Sequence, residues 1–149
     1  LRPRRVYQRA VSARRGVIEM QNAECKMQNE DTGSGNVVVD KSFDFAVRIV
    51  NVYKFLTGER KEFVLSKQLL RSGTSIGANI SEAQCGQSHA DFYAKMSIAL
   101  KEASETRYWL KLLYRTDFLT KQQFTSLNTD ITELIGLLTA ICKSAQTSR

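Results

Sequence analysis

The chain has 149 residues, of which 42% are apolar, and its 22 Lys and Arg against 15 Asp and Glu leave a formal net charge of +7. This length suggests one domain with a sizeable core, and no apolar run reaches the ~18 residues of a membrane span, so we expect no integral membrane protein. The single His and the three cysteines show no metal-ligand spacing and no pairing pattern. We therefore predict no metal, no cofactor and a reducing, cytoplasmic location.

The first 36 residues differ in composition from the rest. Seven of them are basic and four are acidic, and the first fifteen hold six arginines and no acidic residue. Such a run is typical of a nucleic-acid-binding arm, although a solvated extension has the same composition. Gly33-Ser34-Gly35-Asn36 then predicts a flexible link. We therefore predict a basic extension over residues 1–36, disordered or weakly helical, ahead of a domain over residues 37–149.

Apolar residues recur at helical spacing throughout the second part of the chain. This periodicity predicts four helices, at about residues 41–57, 63–86, 89–115 and 120–144. In the first helix we expect one apolar stripe to face the core, formed by Phe43, Val47, Val50, Phe55 and Leu56. Either Asp40 or Ser42 is placed to cap the first turn.

The other three predicted helices each carry one apolar stripe. The third is the most regular, because its core positions alternate in steps of four and three from Phe92 to Leu113. Ser88 is placed to cap its first turn, and Thr120 with Gln123 forms a capping-box sequence ahead of the fourth helix. Long helices joined by short loops favour antiparallel neighbours. We therefore predict an all-α fold, an antiparallel up-and-down four-helix bundle.

The second predicted helix contains an unusual run of small and polar residues. Two glycines inside a helix cost about 1 kcal/mol each relative to Ala, so a close approach of a neighbouring helix is expected to compensate. Polar side chains recur in this helix in steps of four, four and three residues. They indicate hydrogen bonds between helices or between subunits. The alternative is that they bind a ligand or a phosphate. The candidate packing or oligomer motif consists of Arg71, Gly73, Ser75, Gly77, Asn79 and Glu82.

Three stretches make the sequence recognisable: KSFDFA at 41–46, QLLRSGTSIGANISEA at 68–83 and ALKEASET at 99–106. Residues 41–141 resemble the bacterial four-helix-bundle family encoded in intervening sequences of large-subunit (23S) ribosomal RNA genes. The resemblance implies a scaffold that assembles as a five-membered ring, with no established enzymatic activity. The family is related to the accessory variability determinant of diversity-generating retroelements, and that relation implies binding to nucleic acid and to a protein partner.

Basic side chains at helical spacing indicate how nucleic acid would be held. Clustered cations neutralise phosphates, although cations near the end of a helix also offset its macrodipole without any partner. The candidate nucleic-acid-binding residues are Lys67, Arg71, Arg107, Lys111 and Arg115.

The leading hypothesis is therefore a non-catalytic homo-oligomer, a ring of five by resemblance, that binds RNA or DNA. The alternative is a homo-oligomeric scaffold that recruits a protein without binding nucleic acid. In it, the small-residue face of the second helix and exposed Phe92, Tyr93 and Trp109 form subunit contacts. An enzyme is disfavoured, because His89 is the only histidine and stands outside any catalytic pattern.

Overall fold

The computed structural model describes residues 36–148, so the predicted extension over 1–36 lies outside the described residues apart from Asn36. The described part contains four helices and no strand: α1 (Val37–Gly58), α2 (Leu65–Gln84), α3 (His89–Arg115) and α4 (Lys121–Thr147). Each helix packs on the next, and α4 returns to α1. The result is the predicted antiparallel up-and-down four-helix bundle. Within residues 36–148, no helix combines the length and the apolarity that a membrane span requires.

The core of the bundle is filled by aliphatic side chains from all four helices. The predicted stripes of α2, α3 and α4 face inward, and only their flanking members Leu65, Phe92, Phe124 and Ile141 are half-buried. The largest fully buried side chains are Phe45, Ile49, Leu56, Leu69, Ile76, Ile80, Met96, Leu110, Leu113, Ile131, Leu134 and Leu138.

The predicted core face of α1 is confirmed at its end, where Leu56 is buried and Phe55 packs against the core, and is wrong in its first half. Phe43 and Val47 are 69% and 47% exposed, whereas Phe45 and Ile49 are buried. Helix α1 carries apolar residues on more than one side, so its periodicity is compatible with two rotations about the helix axis. Packing against α2 selects the rotation that buries Ile49, since that side chain lies over Gly73.

Helix α1 also begins earlier than expected, at Val37, and neither Asp40 nor Ser42 caps it. The N-cap is Asn36, whose side chain makes no capping bond and instead donates to the Gln84 side chain at 3.0 Å. Val38 is buried, so tertiary packing outweighs the low helix propensity of a β-branched run. The predicted caps of the last two helices are confirmed by the described contacts. The Ser88 hydroxyl accepts the N–H of Asp91 at 3.1 Å, and a complete capping box opens α4.

Candidate nucleic-acid interface

The two glycines of the predicted motif lie against α1 of the same chain. A Cβ added at Gly73 would stand 2.9 Å from two side-chain carbons of Ile49, and one added at Gly77 would stand 3.3 Å from the carbonyl oxygen of Ser42. Both distances are shorter than ordinary van der Waals contact. The small residues of α2 therefore allow α1 to approach closely within one bundle.

The polar members of the motif are also engaged within the chain. Arg71 pairs with Glu105, and its guanidinium lies 3.6 Å from Glu102. Glu82 accepts from Lys95 at 2.6 Å. Ser75 and Asn79 bond to carbonyl groups of their own helix, one turn back. Arg71 and Glu82 therefore form a polar seam between α2 and α3. The charge of Arg71 is balanced within this seam and is not free to bind a phosphate.

Charge complementarity maintains this seam. The indole N–H of Trp109 and then the guanidinium of Arg71 lower the pKa of the Glu105 carboxyl, and the bond to Glu82 raises the pKa of Lys95. In the buried interior beneath, the Thr106 hydroxyl donates to Ser72 at 3.0 Å. Each polar group of α2 that leaves water thus has a partner on α3 or in its own helix, as burial requires.

The aromatic side chains expected to be exposed for subunit contacts are half-buried. Phe92, Tyr93 and Trp109 pack against the hydrophobic core, and the Trp109 indole N–H donates to Glu105 at 3.1 Å. His89 is exposed, as expected, and its Nε2 lies 2.6 Å from the carbonyl oxygen of Ala145. No group of three His, Cys, Asp or Glu side chains that could hold a metal ion occurs within residues 36–148.

The remaining predicted cations lie toward one end of the bundle, where α1 and α3 end and α2 and α4 begin. Lys67, Lys111 and Arg115 are exposed and Arg107 is half-buried. Among the described residues, none of these four forms an ion pair. Their charges are therefore available to a partner outside the chain, in contrast to that of Arg71.

This end of the bundle is strongly basic. We count the last nine residues of α1 and α3, the first nine residues of α2 and α4, and the two connections between them. These segments hold nine cations but only three acidic residues, Glu59, Glu62 and Asp117. The corresponding segments at the opposite end, which are the other nine terminal residues of each helix and the connection between α2 and α3, hold three cations and four acidic residues. We define the basic end by its cations other than Arg71, which are Lys54, Arg60, Lys61, Lys67, Arg107, Lys111, Arg115 and Lys121.

A rigid connection between α1 and α2 crosses the basic end. The buried Glu62 carboxylate accepts the N–H groups of Val64, Leu65 and Ser66 at 3.0, 2.8 and 2.6 Å, and so caps α2. Burial raises the pKa of Glu62, but these donors outweigh burial and leave the pKa below its ordinary value. Arg60 donates to the Asp117 carbonyl in the connection between α3 and α4. The two connections are thereby tied together.

Sequence reasoning identified Lys67, Arg107, Lys111 and Arg115 but missed the connection. Residues 59–62 have the composition of a plain polar loop. The signal that was available in the sequence was the acidic residue Glu62, because an acidic residue just before an amphipathic helix often caps it. The same connection exposes two apolar side chains, Phe63 at 52% and Val64 at 71%.

A shallow cleft of about 360 Å³ opens beside the basic end, between α1 and α4. Its walls combine apolar side chains, among them Val52 and Phe55, with polar ones, among them Arg48 and Gln123. The Arg48 side chain is bonded to Asp130 and to Ser126 on α4. No set of titratable groups converges on the cleft, so its residues suggest no reaction.

Comparison with known proteins agrees with this fold. Residues 35–140 match the family described as 23S rRNA-intervening sequence protein. A solved relative is the crystal structure of a protein with unknown function from the S23 ribosomal protein family of Bacteroides thetaiotaomicron VPI-5482. It is 65% identical, with 72% of this chain and 96% of that chain covered and a TM-score of 0.72. No curated protein matches this chain. The chain therefore belongs to the 23S rRNA-intervening sequence protein family.

Proposed function

We propose that the protein is a non-catalytic nucleic-acid-binding protein and that its basic end contacts the phosphate backbone. The observation that supports this proposal is the uneven charge: eight cations lie at one end, and none of them pairs with a carboxylate among the described residues. Such clustered, exposed cations release counterions when they neutralise phosphates, and this release supplies much of the affinity for nucleic acid.

The macrodipole explains only some of these cations. Arg115 lies in the last turn of α3, where a positive charge is favourable. Lys67 and Lys121 lie instead in the first turns of α2 and α4, where the helix dipole disfavours a positive charge by about 0.3–1 kcal/mol. No carboxylate of the described part pairs with either lysine. The Glu62 carboxylate already offsets the dipole at the start of α2, whereas the first turn of α4 holds no acidic residue. A bound phosphate would supply a negative charge beside Lys121.

The proposal is tested with fluorescein-labelled RNA and DNA oligonucleotides, whose anisotropy is followed over a salt series. The double variant Lys111→Glu/Arg115→Glu should weaken binding tenfold or more at low salt and reduce the slope of log K against log salt, because each lost phosphate contact removes about 0.7–0.9 from that slope.

The matched control is Lys143→Glu, an exposed and unpaired cation near the opposite end of the bundle. It should leave the slope nearly unchanged. Absence of binding to any oligonucleotide at low salt, or an equal loss in the control variant, would contradict the proposal.

A second candidate function, assembly of copies of this chain, is supported by the outer face of α1. Phe43 and Val47 lie one turn apart on α1 and are largely exposed, although exposed large apolar side chains usually mark a contact surface only when they cluster. This face replaces the small-residue face of α2, which α1 covers within the chain. A ring of five and a protein partner belong to this proposal through the family resemblance, and a cytoplasmic location belongs to it through the cysteine content of the sequence.

Light scattering coupled to gel filtration tests the assembly. Phe43→Ser/Val47→Ser should convert an oligomer to a monomer, whereas Ile98→Ser, at a residue of α3 that is 41% exposed, should not. A wild-type monomer at micromolar concentration would contradict the assembly hypothesis.

A further inference from the structure

We infer that the basic end binds single-stranded nucleic acid and that the ring of Phe63 is the surface on which an unpaired base stacks. The inference rests on the proposed function and narrows it to one class of ligand. The starting observation is that the connection between α1 and α2 exposes an aromatic ring, 52% accessible, in the middle of the basic end.

Disorder does not account for this exposure. The Glu62 carboxylate accepts the backbone N–H groups of Val64 and Leu65, directly after Phe63, and Arg60 joins the loop to the neighbouring connection. Lys61 adopts a φ of 54°, a left-handed conformation that a residue with a Cβ adopts only where the surrounding structure compensates. The loop is therefore fixed in a conformation that directs Phe63 outward.

Other aromatic rings at this end have an aromatic or cationic partner. The guanidinium of Arg60 lies 5.9 Å from the ring centre of Phe118, and Tyr114 stacks on Phe124 with ring centres 4.6 Å apart and an angle of 4° between the planes. Phe63 makes no ring contact with another described aromatic residue and no contact with a cation over its face. Among the described residues, Phe63 thus combines 52% exposure with the absence of an aromatic or cationic partner.

Cations close to Phe63 in the sequence support this choice of ligand. Lys61 and Lys67 flank Phe63 in the chain, both are exposed, and neither is paired among the described residues. An aromatic platform between cations is the arrangement that holds single strands, because the cations follow the phosphates while the ring stacks on a base. A duplex keeps its base faces inside the stack, so it would use the cations and leave the ring unused.

The experiment compares a 12-nucleotide single-stranded RNA, the DNA strand of the same sequence and the RNA duplex, each labelled with fluorescein. Phe63→Leu keeps an apolar side chain but removes the ring. This variant should weaken binding of the single strand about tenfold, the expected loss of one stacked base. It should leave the salt slope and the duplex affinity unchanged.

Two variants serve as controls. Phe63→Tyr keeps the ring and should bind like the wild type. Ile98→Ala trims an exposed apolar side chain of α3 that lies outside both the basic end and the proposed assembly surface, and it should have no effect. A 2-aminopurine placed in the single strand should be quenched by the wild type and less by Phe63→Leu. Circular dichroism checks that the exposed substitution leaves the helices intact.

The outcomes separate this inference from the proposed function. If Phe63→Leu binds like the wild type, or if the duplex loses as much affinity as the strand, the inference is overturned. The proposed function still stands in that case, provided that Lys111→Glu/Arg115→Glu weakens binding. A wild type that binds no oligonucleotide at low salt overturns both. A loss of affinity in Phe63→Leu for the RNA strand, with or without a loss for the DNA strand, supports the inference. The difference between the two strands shows whether binding depends on the sugar.

Discussion

The two sides of α1 show how differently one helix can be packed within a single bundle. Toward α2, Ile49 lies directly over Gly73, with no space for an added methyl group. Toward α4, the packing is looser, and clefts of about 360 and 230 Å³ remain between the two helices. Ion pairs with partly exposed side chains, Lys41 with Glu133 and Arg48 with Asp130, bridge this second seam.

The comparison shows that helix α2 is the most constrained element of the described part. Its glycines set the distance to α1, its polar stripe is paired with α3, and its first turn is capped by a buried carboxylate. Close packing leaves little room for adjustment, because protein interiors are as dense as organic crystals. We therefore expect substitutions around α2 to cost far more stability than substitutions along the seam between α1 and α4.

The largest effect is expected at the cap of α2. Glu62→Ala leaves three N–H groups without their acceptor and should lower the free energy of unfolding by about 3 kcal/mol at pH 7. Folding lowers the pKa of Glu62. The ionised carboxylate therefore contributes fully to the free energy of unfolding at pH values above the pKa of an unfolded glutamate, about 4.3. That contribution is lost as the pH falls through the folded value.

Urea denaturation at pH 7 and at pH 3 measures both effects. The difference between wild type and Glu62→Ala should shrink at the lower pH. Glu59→Ala is the matched control, since Glu59 is exposed and its side chain makes no described bond; it should change stability by less than about 0.5 kcal/mol. Equal effects of the two substitutions would refute the assignment of the cap.

A smaller effect is expected where α1 approaches α2. Gly73→Ala places a methyl group 2.9 Å from the stiff, branched Ile49 side chain. Overpacking costs about 1–3 kcal/mol and outweighs the gain of about 1 kcal/mol from helix propensity. We expect a net loss of about 1 kcal/mol. The matched control, Gly136→Ala in α4, meets no atom within 4 Å and should be stabilising by a similar amount. Thermal unfolding of both variants measures the opposite signs, and a gain in stability at both positions would disprove the close approach.

The smallest effect is expected in the seam between α1 and α4. Glu133→Gln removes the ion pair with Lys41. The Glu133 side chain is 51% exposed and the Lys41 side chain is 41% exposed. Solvent and salt screen such pairs, so the loss should stay below about 0.5 kcal/mol. Denaturation at low and high salt measures it. A loss as large as that of Glu62→Ala would show that the seam is as constrained as α2.

Most of the fold could be predicted from the sequence, because three of the four helices have a single apolar stripe. The rotation of α1 could not, since its apolar residues surround much of the helix and only the contact with α2 selects Phe45 and Ile49 for the core. The candidate site was predicted in part. Exposed cations at helical spacing are visible in a sequence, but the pairing of Arg71 with two glutamates depends on residues more than thirty positions away.

The helical periodicity, the capping residues and the excess of cations are local properties, so the sequence by itself determined an all-α bundle, its order of helices and its basic character. The tertiary structure alone decided which charges are paired, which face of α1 is exposed, and that a short polar loop presents Phe63 to solvent. The physical reason is that burial and ion pairing depend on distances between separate helices. Between α1 and α2, that distance depends on Gly73 and Gly77, which let the two helices approach closely.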